Sequence, residues 1–151
     1  MQTACLSLSV AGVAVAGYLT VAHYTSPSLL VCSDQGMVDC AQVTSSPQST
    51  IAGVPVAVLG TAFFLAMSAL TLPQVWRSRS SVVKGVRLGL VWVGVSFVLW
   101  LIYAELFLVH AICLYCSVVH VITFILFVLI LFNNGEAGSE KSWVDAGTEH
   151  A

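Results

Sequence analysis

The stretch E-L-F-L-V-H-A-I-C-L-Y-C-S-V-V-H, residues 105–120, decides the fold of this chain. It sits inside residues 88–132, a run of 45 positions whose single formal charge is Glu105. A membrane-crossing helix needs about 20 mostly apolar residues to traverse roughly 30 Å of hydrocarbon. The run is too long for one span and fits two, joined by a tight turn near residues 108–112. Working outward, residues 53–72 form a further uncharged stretch that stops at Pro73. Residues 4–24 form another, ending at the interfacial pair His23 and Tyr24. No Lys or Arg precedes that first run, which argues for a span rather than a cleaved signal peptide. The expected fold is an all-α integral membrane protein, a four-transmembrane-helix bundle.

Composition agrees. Of 151 residues, 58% are hydrophobic and 8% charged, against roughly 45–50% and about 25% in an ordinary soluble domain. Such a chain cannot cover a soluble surface with charge, and it is too apolar for disorder. The net charge of −2, with 5 Lys+Arg, leaves no basic footprint for nucleic acid. Its expected surroundings are membrane lipid. Residues 1–134 read as one membrane domain and 135–151 as a short polar tail, disordered by composition.

Orientation follows from the basic residues. Arg77, Arg79, Lys84 and Arg87 gather between the second and third spans with no acid among them. The positive-inside rule makes that connection cytoplasmic. Both termini are then cytoplasmic, and the segment 25–52 and the turn near 108–112 face outward.

That topology, derived without reference to thiols, places four of the five cysteines on one outer, oxidising face. Cys32 and Cys40 are spaced C-x7-C on a loop containing Gly36, and Cys113 and Cys116 form C-L-Y-C at the start of the fourth span. Cys5 stands apart at the cytoplasmic end of the first span and reads as a small buried hydrophobe. On a helix, Cys113 and Cys116 share a face, and a helix N-terminus favours thiolate. Zinc is one alternative, although C-x7-C departs from structural zinc spacing. Two purely structural disulfides are another, although a bridge across three helical residues closes too small a loop to stabilise much. Thiol–disulfide exchange between a loop pair and a helix pair is the favoured reading. Cys116 lies deeper along its span than Cys113 by about 4.5 Å at 1.5 Å per residue. Depth alone therefore orders a relay from the loop to Cys113, then Cys116, then an acceptor in the membrane.

Other polar residues have more than one reading. Ser46 before Pro47 is a helix-start signature and predicts a short lid helix around 46–51 across the outer mouth. His120 follows Cys116 by one turn, on the same face. Glu105, the only acid in the spans, reads as an interfacial helix-end residue or a proton carrier. Gly12, Gly17, Gly60, Gly89 and Gly94 read as close helix contacts.

The ordered set formed by Cys32, Cys40, Ser46, Gly53-Val54-Pro55 and Cys113/Cys116 resembles the vitamin K epoxide reductase family in its bacterial form. The resemblance spans residues from about 5 to 132. It implies a four-helix bundle around a quinone of menaquinone, ubiquinone or vitamin K type. It also implies a partner: a thioredoxin-fold protein that makes disulfides in exported proteins across the bacterial inner membrane. Carried over, Cys32 takes the partner's electrons, Cys40 attacks Cys113, and Cys116 meets the quinone. Ser46, Ser49 and His120 would border the quinone, with no metal in the site. Animal members have Asn and Tyr where this chain has Ser49 and His120, which points to a quinone acceptor rather than an epoxide. A quinone or quinone-epoxide reductase and a non-catalytic four-span subunit are the alternative functions.

Overall fold

The structure is a computed structural model that describes residues 1–26, 38–77 and 80–148, with side chains described through Asn134. Cys32 and Gly36 lie outside the described residues. The long helices are α1 (Gln2–Thr25), α3 (Val56–Thr71), α5 (Ser81–Tyr103) and α6 (Leu114–Thr148). Between α1 and α3 come a short helix α2 (Cys40–Ser45), a 3-10 turn Pro47–Ser49 and an antiparallel hairpin of Thr50–Ile51 with Val54–Pro55. A single turn, α4 (Pro73–Trp76), follows α3, and a π-helical segment (Ala104–Val109) extends α5.

Local chemistry explains these boundaries. Asp39 caps α2, its Oδ1 accepting from the Gln42 N–H at 2.8 Å. The hairpin turns through Ala52 and Gly53, both at positive φ, the primed geometry that matches strand twist. Pro55 then precedes the first residue of α3, and Pro73 opens α4. The π-helical segment ends at His110, which adopts a left-handed conformation (φ 55°).

Among the described residues, three helical segments are long and apolar enough to cross a membrane: Gln2–Thr25, Ser81–Val109 and Leu114–Asn134. Helix α3 has 16 residues, about 24 Å at 1.5 Å per residue, which falls short of the expected full span. The 88–132 run does divide in two, broken at residues 110–113. One expectation needs correction. Lys84 and Arg87 lie within α5 rather than in a loop, because nothing between Ser81 and Tyr103 breaks the helix. The polar stretch beyond Asn133 continues α6 to Thr148. No proline interrupts residues 114–148, so the backbone propagates from a strongly apolar helix.

Helix α3 is wedged between α1 and α5. Phe63 and Phe64 meet edge to face with ring centroids 5.0 Å apart. The Phe64 ring fills the space a Cβ would take at Gly12 of α1, and Phe63 does the same at Gly94 of α5. A Cβ added at Gly60 would meet the Ala16 side chain only at ordinary van der Waals distance. Nothing lies within 4 Å of a Cβ at Gly17 or Gly89, so those two are not the close contacts expected. The Thr20 and Thr61 hydroxyls pair across α1 and α3 at 3.1 Å, and Trp92 of α5 packs edge-on against Phe127 of α6. Near the start of α5, Arg87 is 3% exposed. Its guanidinium donates to the Leu70 carbonyl at 2.8 Å and lies over the Trp76 ring. A cation at the C-terminus of α3 is favoured by the helix dipole.

Candidate active site

The site is assembled by two pieces of backbone at one end of the bundle. Val38 bridges Ile112 in parallel, with the Asp39 N–H donating to the Ile112 carbonyl. This pairing fixes the end of the loop against the turn just ahead of α6. The next residues on each side are Cys40 and Cys113, both fully buried in one cluster with Leu19 and Ala22, against which Val43, Ala57, Tyr115 and Cys116 pack. Cys40 is disulfide-bonded, while Cys113 and Cys116 are free thiols.

Cys113 immediately precedes α6 and occupies the position of an N-cap. Its Sγ accepts the backbone N–H of Cys116 at 3.4 Å, as a serine or aspartate oxygen would in a conventional cap. Hydrogen bonds from the Cys116 thiol, and then from the backbone N–H groups of Cys116 and Tyr115, hold the Cys113 thiol below its ordinary range against the opposing effect of burial.

Beneath the cysteines lies a cavity of about 520 Å³, within the range of small-molecule sites. Its walls are mostly apolar, with Phe63, Phe64 and Phe97 among them. Polar groups also line it, among them Ser46, Ser49, Glu105, Cys116 and His120. Among the described residues, Cys116 is the cysteine that lines the cavity, and Cys113 stands behind it. Apolar walls with a few polar groups suit a largely apolar ligand that carries hydrogen-bonding atoms.

Of the site residues expected from sequence, Cys40, Cys113, Cys116, Ser46, Ser49 and His120 converge here, while Cys32 lies outside the described residues. Ser46 does precede the Pro47–Ser49 turn, but its hydroxyl caps nothing there and bonds back to the Val43 carbonyl at 2.8 Å. In place of a lid helix over 46–51 the chain forms one 3-10 turn and the first hairpin strand. Helix α2 is the helix at this mouth, contributing Val43 and Thr44 to the cavity wall.

Glu105 is where the sequence reading falls shortest. Expected to favour an interfacial helix end, it is 7% exposed and borders the cavity, with its carboxyl in hydrogen-bonding reach of the Cys116 thiol. Being the sole acid in the spans was the available signal. The π-helical turn that rotates it inward is not announced by any sequence period. Thr44 and Gln48 also line the cavity without having been singled out.

The sequence pattern described as that of the Vitamin K epoxide reductase family matches residues 3–131, most of the chain. No curated protein matches it.

Proposed function

The chain belongs to the vitamin K epoxide reductase family, membrane enzymes that exchange electrons between thiols and quinones, and we propose that it carries electrons from a reduced thioredoxin-fold partner outside the membrane to a membrane quinone. Dithiol oxidation in the partner then sustains disulfide formation in exported proteins. The partner's two thiols reduce a Cys32–Cys40 disulfide. Cys40 attacks the Cys113 sulfur of an inner Cys113–Cys116 disulfide and expels Cys116, and Cys32 then attacks Cys40 to release Cys113. The inner pair, now two thiols, holds two electrons and two protons. A quinone (menaquinone, ubiquinone or vitamin K type) supplies the two-electron sink when bound, and Ser46, Ser49 and His120 orient its ring in the cavity.

One observation carries this reading: Cys40 and Cys113 share a buried cluster, whereas Cys116 alone of these three cysteines borders the cavity. The chain thus separates a thiol that exchanges with the loop from a thiol that meets an apolar ligand. Since Cys40 is fully buried, a protein partner has to enter through Cys32. Four spans with both termini in the cytoplasm, α3 being the short one, complete the proposal. Residues 1–134 act as the enzyme and 135–151 as a cytoplasmic appendage.

The test uses reduced protein carrying Cys113→Ala, which leaves Cys116 without a disulfide partner. Adding a quinone should produce a visible absorbance from the thiolate–quinone contact, and replacing Cys116 as well should abolish it. Absorbance that persists without Cys116 would overturn the assignment.

A further inference from the structure

The relay leaves the acid at the site unused. Glu105 is buried in the cavity wall, and its placement is fixed by backbone rather than by chance. Its carbonyl accepts the N–H groups of both His110 and Ala111, which clamps the π-helical turn on which it sits. That turn is a rare local geometry that recurs at functional sites. A lone acid in a membrane span is costly unless it is used.

We propose that Glu105 is the proton carrier between Cys116 and the quinone, a catalytic residue of the second half-reaction. This inference rests on the thiol–quinone reading above. The Cys116 thiol has two acceptors in reach, the Cys113 sulfur and the Glu105 carboxyl. Of the two, Glu105 also borders the cavity, so it alone touches both the proton's origin and the space where the proton is needed. His120 lines the cavity one turn further along α6, and His23 lines it from α1. Those histidines are placed to hold a ring oxygen, whereas the carboxyl is the group in contact with the thiol.

The step balances. Cys113 and Cys116 thiols with a quinone give a Cys113–Cys116 disulfide and a quinol. Two electrons leave the sulfurs as the S–S bond forms, and the quinone is reduced by two electrons and two protons. The Glu105 carboxylate takes the Cys116 proton as that sulfur becomes the electron donor, then delivers it to one quinone oxygen and returns to the carboxylate. The Cys113 proton leaves to the outer water, and the second oxygen takes one from the medium.

Difference infrared spectroscopy reads the proton directly. Reduced Cys113→Ala protein in lipid, with and without menadione, should gain a protonated-carboxyl C=O band together with the visible absorbance. Glu105→Gln, which keeps size and polarity, should lose that band. In the otherwise unmodified protein Glu105→Gln should slow quinol formation about 100-fold, at the lower end of what a positioned general acid–base contributes. Glu105→Asp should recover most of the rate. Should the glutamine variant fail to fold, Glu105→Asp carries the test by shifting the band in frequency instead of removing it. Visible absorbance without a carboxyl band, a band unchanged by both substitutions, or an unaltered quinol rate in Glu105→Gln would each overturn the role of Glu105 alone. No visible absorbance with Glu105 present would overturn the quinone reading itself, and this inference with it.

Discussion

Cys113 occupies the junction of the two disulfide systems, and what distinguishes its sulfur is the donors around it. The Cys116 thiol is the foremost of them, so removing it should have a defined sign. In reduced protein, methylthiolation of Cys113 should rise with pH through an inflection below that of an ordinary thiol. A lowered pKa means that thiolate accumulates from a lower pH upward. Cys116→Ala should move the inflection to higher pH; no movement would mean that the helix N-terminus alone sets it. Replacing Cys32 by Ala removes the group that resolves the exchange, so a Cys40–Cys113 disulfide should accumulate and be found by proteolysis and mass spectrometry. A Cys40–Cys116 product instead would reverse the order within the inner pair. The nearness of Cys40 to Cys113 and Cys116 was legible in the sequence because spacing and the expected span topology bring them to one end without packing information. Glu105 was not legible as a cavity residue. Whether an acid near a helix end faces water, lipid or a cavity depends on the rotation introduced by residues 104–109, which hydrophobic periodicity does not encode.

Among the elements, α3 has least length with which to cross the membrane and most of the close packing. Its Phe63–Phe64 pair occupies the space left by Gly12 and Gly94. Gly94→Val should destabilise the bundle by about 1–3 kcal/mol, the usual cost of overpacking, seen as a lowered melting temperature in detergent. Gly89→Ala meets open space and should be neutral or stabilising by up to about 1 kcal/mol, the helix-propensity difference. Equal effects at both positions would show that the ring contact is not what matters. Helix α2 depends on Asp39, and Asp39→Ala should cost about 1 kcal/mol of local stability. It should also slow formation of the Cys40–Cys113 disulfide in the Cys32→Ala background, because Cys40 is the first residue of the capped helix. The apolar spans were readable from charge-free length, whereas which glycines make contacts was not. Gly12 and Gly89 look alike in sequence, and only the position of a phenylalanine ring on a neighbouring helix separates them.

The whole molecule places an exchange site at one end of a bundle whose other end is basic. Arg87 is buried against Leu70 and Trp76, so it secures that end as well as marking its side. In right-side-out membranes, a membrane-impermeant thiol reagent should leave Ser81→Cys, exposed at the start of α5, unlabelled until the membrane is opened. Labelling from outside would invert the topology and put the relay on the reducing side. The central claim is that the inner cysteine pair delivers its electrons to a quinone through Cys116. Protein reduced by dithiol, freed of excess reductant and mixed with quinone without oxygen, tests it by the loss of quinone ultraviolet absorbance. The expected result is one quinol formed per Cys113/Cys116 pair in the unmodified protein and none in Cys116→Ala, with the helical content of the variant unchanged. Quinol formed by the Cys116→Ala protein at the unmodified rate would contradict the account.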